Sequence, residues 1–161
     1  MKTLLACGAA LGLLGLSASG IPQTFQGPTT LVLGTNLSFE QLATEPASWG
    51  ESSALKGSWK TKGDTLTLDN APLVFGIPAD EITARQQDGQ VQSFRVVFHP
   101  KEKHAGKGSL DLLSQLTANV RAFTGDSGAK AGGATVFKYK GVTITLRSSS
   151  GHEVVAEFTR V

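Results

Sequence analysis

The last third of the chain alternates apolar and polar residues between glycine turns, and such a pattern admits little but an antiparallel sheet. Val142, Ile144 and Leu146 share one parity, and Thr143, Thr145 and Arg147 take the other. Val154, Ala156 and Phe158 repeat the alternation after Ser150-Gly151, and 136–139 precedes it across Lys140-Gly141. Successive strand side chains point to opposite faces, so period two buries one face and leaves the other to solvent. The spacing predicts a three-stranded meander.

Two hairpins are predicted upstream. In 57–69, Trp59 and Thr61 alternate with lysines, Leu66 and Leu68 alternate with threonines, and Lys62-Gly63-Asp64 supplies the turn. Ile82 and Ala84 lead to Asp88-Gly89, a dipeptide suited to a type I′ turn, and 91–98 returns. On the return arm Phe94, Val96 and Phe98 share one parity and Val91 and Val97 the other, which predicts apolar residues on both faces. One amphipathic helix is predicted over 109–123, with Leu112, Leu113, Leu116, Val120 and Phe123 on a stripe. Ser109 is its expected cap, Asp111 and Arg121 suit the dipole in the first and last turns, and Gly125 ends it. A flexible glycine-rich loop is expected at 125–133. Nearer the start, 21–28 reads as an irregular lead-in and 30–33 as a short strand. Ser38-Phe39-Glu40-Gln41 forms a capping box that opens a short helix, ending near Ala43 before Pro46.

The chain begins with Met1-Lys2, an uncharged apolar run from Leu4 to Leu16, and the small residues Ser17-Ala18-Ser19-Gly20. This is the pattern of a cleaved secretory leader, expected to span 1–20. Leu4-Leu5-Ala6-Cys7 is not taken as a lipoprotein box, because the apolar run continues well past Cys7. Removing the leader removes Cys7, the one cysteine, so neither a thiol nucleophile nor a thiolate metal site is expected in 21–161. No later apolar run reaches membrane-spanning length. With 161 residues, 40 % apolar and 17 % charged, the remainder is expected to form one α+β domain: a two-layer sandwich, mainly antiparallel, with one long and one short helix. A net charge of +2 falls short of the basic stripe of a nucleic-acid binder.

Two segments match in register: Trp59-Lys60-Thr61-Lys62-Gly63-Asp64-Thr65-Leu66-Thr67-Leu68 and Phe137-Lys138-Tyr139-Lys140-Gly141-Val142-Thr143-Ile144-Thr145-Leu146. Upstream, Gln41-Leu42 echoes Gln115-Leu116, so each half reads as a helix followed by a meander, or else as hairpins that independently reuse Lys, Gly and Thr. Leu73-Val74-Phe75-Gly76, with Glu81, Asp88-Gly89 and Val97-Phe98, resembles exported bacterial domains of unknown role, some of which precede a papain-like cysteine peptidase domain. That resemblance carries no catalytic residues over. The helix-plus-meander plan resembles the β-lactamase-inhibitor-protein-like fold of envelope proteins. It implies an interaction module, and fold alone does not establish one.

Candidate chemistry is sparse. His99-Pro100-Lys101-Glu102-Lys103-His104 offers metal-ligand types, but Lys101, Lys103 and Lys107 would repel a cation. Ser148-Ser149-Ser150-Gly151-His152 sets serines beside a histidine, and a turn accounts for them without chemistry. Asp80-Glu81 is a carboxylate pair whose members should diverge as strand neighbours. The outward rows carry Lys60, Lys62, Lys138, Lys140, Thr143, Thr145 and Arg147, with Glu153 and Glu157 as cross-strand partners. The expected binding residues are Trp49, Trp59, Lys60, Lys138, Tyr139, Lys140 and Arg147. The expected function is that of a secreted or periplasmic, non-enzymatic binding protein without cofactor or metal. Its partner would be a protein or an anionic polymer of the envelope, and inhibition of a secreted hydrolase is one version. The alternatives are a small secreted hydrolase using His152 or His99 with carboxylates and a serine, or a purely structural domain.

Overall fold

The computed structural model describes residues 59–69, 73–100, 105–149 and 152–161. The expected leader, the strand at 30–33, the helix after Ser38 and Trp49 lie outside the described residues. In chain order the elements are β1 (Trp59–Lys62), β2 (Thr65–Asp69), β3 (Leu73–Val74), β4 (Ile77–Pro78), β5 (Glu81–Gln87) and β6 (Gln90–Phe98). There follow α1 (Ala105–Thr124), β7 (Ala129–Ala131), β8 (Ala134–Tyr139), β9 (Val142–Ser148) and β10 (Val154–Arg160). The fold is α+β, with an antiparallel eight-stranded sheet in the order β1-β2-β5-β6-β10-β9-β8-β7 and a separate two-stranded sheet, β3-β4. Among the described residues no helix is long and apolar enough to cross a membrane.

The predicted turns form where the chemistry allows left-handed backbone. Asp88 and Gly89 have φ of 53° and 75°, and Lys140 and Gly141 have 45° and 78°. Positive φ at both central residues is the type I′ signature, whose twist matches that of the flanking strands. The β1–β2 turn is Gly63-Asp64, and only its glycine is left-handed, with φ 56°.

The core follows the alternation. Leu66, Leu68, Ile82, Ala84, Val96, Phe98, Phe137, Ile144, Leu146, Val154, Ala156 and Phe158 all point to one side and are buried together. Val91 corrects the parity expectation. Ser93 pairs with Arg85 but Val91 pairs with Gln86, so Gln92 is an extra residue opposite that step. This β-bulge switches the side-chain alternation, and Val91 joins the core instead of the second face. Val97 stays on the second face.

Helix α1 lies against β8, β9 and β10. Leu116 and Val120 are fully buried, and Leu112, Leu113 and Phe123 pack against the same core. The stripe is as predicted, but the start is not: the helix begins at Ala105. Ser109 is therefore a buried residue within it, not a cap, and no acidic residue, Asp111 included, lies in the first turn. Ser109, with Gly106 and Gly108 just before it, gave a capping signal four residues later than the start the backbone uses, because packing overrides weak local preference. At the other end Gly125, with φ 72°, donates its N–H to the Arg121 carbonyl at 2.9 Å and stops the helix as expected.

The expected loop at 125–133 is instead held in place and contains β7. Asp126 accepts the Gly128 N–H at 2.9 Å with one carboxylate oxygen and the Lys138 N–H at 2.8 Å with the other, while its own N–H donates to Thr124 Oγ1. Arg121 reaches over to donate to the Ser127 carbonyl. Four glycines suggested flexibility, but their left-handed φ values serve fixed turns.

The β3-β4 hairpin was not anticipated. Its turn residue Phe75 has φ 51°, unusual for an aromatic, and its ring is fully buried. The ring meets Phe123 edge-on at 5.6 Å and stacks on Phe158 at 6.0 Å, and Asn119 Nδ2 donates to the Phe75 carbonyl at 2.8 Å. Left-handed backbone costs a bulky residue about 1–2 kcal/mol. Burying a phenylalanine returns about 1.5–3 kcal/mol, so the plug is sustained.

Candidate functional site

Partners directly opposite in an antiparallel ladder project to the same side. The register therefore lines up the second face into rows running across the strands. One row is Lys62, Thr65, Arg85, Ser93, Thr159, Thr143 and Lys138, on β1, β2, β5, β6, β10, β9 and β8. It crosses six strand spacings, or about 29 Å. Lys62, Arg85, Thr159 and Lys138 are exposed and the others half-buried. The row holds three cations, four hydroxyls and no carboxylate. Among the described residues neither Lys62 nor Arg85 forms an ion pair.

The next row is Lys60, Thr67, Thr83, Arg95, Glu157, Thr145 and Val136. Beyond it, Glu81, Val97, Val155 and Arg147 align. Here the carboxylates gather, each with a partner. Arg95 lies 3.9 Å from Glu81 and 3.5 Å from Glu153, and Arg147 lies 2.8 Å from Glu157. Asp80 turns to His99 while Glu81 also accepts from Thr83 Oγ1 at 2.9 Å. These pairs are partly solvated, so each contributes at most about 1 kcal/mol. Val97 and Val155 are buried on this face, outside the main core cluster. The face is thus polarised along the strands, basic and hydroxyl-rich at one end and charge-balanced at the other.

Of the expected binding residues, Lys60, Lys138 and Arg147 project from this second face, but in three different rows. Lys140 sits in the β8–β9 turn with its ammonium 5.2 Å from the centre of the Tyr139 ring. Trp59 and Tyr139 point the other way. Both are half-buried against the core, and the Tyr139 ring is 5.2 Å from that of Phe123. Residues adjacent in a strand diverge, so Trp59 cannot share a surface with Lys60, nor Tyr139 with Lys138. That signal was present in the sequence. Arg85, Ser93 and Thr159 are gained instead. Arg85 meets Ser93 across the β5–β6 hairpin, and Ser93 meets Thr159 only through the β6–β10 pairing, which joins two residues 66 positions apart and leaves no local trace.

Lys138 marks the row's far end, where Asp126 accepts its N–H. The Asp126 carboxyl is held below the ordinary aspartate range, first by the Gly128 N–H, then by the Lys138 N–H and the nearby Lys138 ammonium.

Among the described residues His99 and His152 meet no serine and assemble no catalytic set. His99 Nδ1 lies 3.2 Å from Asp80 and its Nε2 3.7 Å from Glu153, while its backbone N–H donates to Asp80 at 2.7 Å. It borders a cleft of about 390 Å³ between α1 and the β3-β4 hairpin, with Ile77, Pro78, Asp111, Leu112 and Gln115. Among the described residues no hydroxyl hydrogen-bonds to His99, and both ring nitrogens face carboxylates. His104 and Ser150 lie outside the described residues. His152 is exposed, with φ 64° and no described carboxylate or hydroxyl on its ring. Among the described residues no group of three His, Cys, Asp or Glu side chains could hold a metal ion.

Comparison with protein-family models, with curated proteins and with solved structures finds nothing that matches this chain.

Proposed function

We propose that this is an exported, non-enzymatic binding protein that presents its second sheet face to a protein or an anionic polymer of the cell envelope. One observation carries this reading: the helix and the core occupy one side of an eight-stranded sheet, and the other side, apart from the buried Val97 and Val155, carries exposed cations and exposed or half-buried hydroxyls. Export rests on the leader pattern at 1–20, which directs the product to the periplasm or the medium.

In this reading the fold is a two-layer sandwich built from two meanders. The strands β1-β2-β5-β6 run inward from one edge and β7-β8-β9-β10 from the other, and their last strands meet. That mirrored order supports a duplication and the likeness to the β-lactamase-inhibitor-protein-like plan. The hairpins matched in sequence argue for less. One is β1–β2 and the other β8–β9, one strand out of step with the mirror.

Photo-crosslinking in intact cells tests the function. A photoreactive residue replaces Thr83, on the second face, or Ala122, exposed on α1. Discrete adducts from position 83 and none from 122 are expected. Adducts from neither position, or equally from both, contradict the proposal. So does hydrolase turnover by the purified protein that disappears in His99→Ala.

A further inference from the structure

We infer that the row from Lys62 to Lys138 binds a linear carboxylated glycan laid across the strands. This rests on the reading of the second face as the contact surface and names its ligand. Three features of the row select that chemistry.

The first is charge. Lys62, Arg85 and Lys138 are exposed, and no carboxylate shares their row. The nearest acids are already engaged or lie past the row. Glu157, in the adjacent row, is held by Arg147. Asp64 accepts from Gln86 Nε2 at 3.0 Å. Both Asp126 oxygens accept backbone N–H groups, although its charge offsets part of that of Lys138. Asp88 is at the tip of the β5–β6 turn, beyond the row's end. Among the described residues Lys62 and Arg85 have no ion pair, and exposed cations in a row free of acids favour an anionic ligand over an acid–base mosaic such as a typical protein surface.

The second is the hydroxyl ladder. Ser93, Thr159 and Thr143 stand on three adjacent central strands between Arg85 and Lys138. Each hydroxyl both donates and accepts, so the ladder can meet sugar hydroxyls in either sense. A polyphosphate offers acceptors alone and uses only half of that capacity.

The third is spacing. Neighbouring strands are about 4.8 Å apart, close to the length of one pyranose unit in an extended chain. A glycan crossing the strands therefore presents one sugar per strand. An extended peptide, with a rise of about 3.4 Å per residue, falls out of step within a few strands.

Calorimetric titration of the purified protein with sodium alginate, polyphosphate and neutral dextran tests the inference. Saturable alginate binding is expected, weakening as salt is raised. The triple variant Lys62→Gln/Arg85→Gln/Lys138→Gln should weaken it by about tenfold, the combined loss of three partly solvated ion pairs. Thr143→Val/Thr159→Val keeps β-branched residues and hence strand preference, and should weaken alginate, which uses the hydroxyls in both senses, more than polyphosphate, which uses them only as donors. Absence of alginate binding overturns the inference, as does polyphosphate binding of equal strength that ignores the threonines. Discrete crosslinks from position 83 together with no alginate binding would sink the glycan assignment and leave the binding-protein reading standing.

Discussion

Two hairpins that share six of ten aligned residues serve this molecule in different ways. Trp59–Lys62 pairs with Thr65–Asp69 at the first edge of the sheet, while Ala134–Tyr139 pairs with Val142–Ser148 one strand in from the other edge. Their aligned aromatics differ most. Phe137 is fully buried and Trp59 only half so. The second hairpin lies beneath α1 and has β7 and β10 on its flanks, whereas β1 is an end strand in the sheet order. Their registers differ as well. Trp59 faces Leu68, but Phe137 faces Ile144 and not Leu146, the residue aligned with Leu68. The first turn is Gly63-Asp64 and the second Lys140-Gly141, so turn chemistry shifted the ladder by two residues and kept every side chain on its face. Sequence similarity fixed which side is apolar. Position in the sheet decided how much that side is worth.

The largest expected contrast is between the aligned aromatics. Phe137→Ala should destabilise the protein by about 3–5 kcal/mol, the range for a fully buried aromatic. Trp59→Ala should cost clearly less in the same urea-unfolding series. Equal losses would mean that the edge hairpin is as deeply embedded as the inner one.

Glycines under the two hairpins give the next contrast. A β-carbon on Gly128 would lie 2.6 Å from Phe137 Cε1 and 2.9 Å from Thr135 Cγ2, at φ 75°. Gly128→Ala should therefore cost about 2–4 kcal/mol, from overpacking added to backbone strain. Gly63 has open space around it, and Gly63→Ala should show the strain alone, about 1 kcal/mol. A loss at Gly63 matching that at Gly128 would remove the packing explanation.

These two glycines also mark how far the sequence could be read. Strand polarity, the I′ turn at Asp88-Gly89, the place of the turn at Lys140-Gly141 and the helical stripe were legible because they depend on neighbours in the chain. Val91 was assigned to the wrong face because a bulge at Arg85/Gln86 resets parity, and nothing local announces it. The stretch 125–133 read as flexible because its glycines were visible, whereas the ties from Asp126 and Arg121 depend on residues brought near by folding. Phe75 looked like an ordinary apolar residue, not the buried tip of a turn. For the candidate face, the lysines were legible and the row was not. Arg85 and Ser93 face each other only in the register that the bulge sets, and Thr159 joins them only when β6 and β10 pair.

The smallest expected effect sharpens the same comparison through pH. Asp126 ties the helix exit to the second hairpin, and its folded pKa is depressed by the N–H groups it accepts. A depressed carboxylate adds stability above its unfolded pKa and loses it as pH falls through the folded value. Asp126→Asn should therefore be less stable at neutral pH and show a shallower fall in stability with acid, below the ordinary aspartate range. Amide exchange at Lys138 should quicken with it, and exchange at Thr61 in the first hairpin should not. An acid profile identical to that of the parent would show that the tie carries no weight.

Whether the face away from α1 meets water can be read directly from relaxation of methyl protons by a soluble gadolinium chelate. The methyls of Thr83, Thr143 and Thr159 should broaden strongly, while those of Val142, Ile144, Leu146 and Val154 stay sharp. Threonine methyls as protected as the core ones would mean that this side is already covered, and neither a partner nor a glycan could reach it.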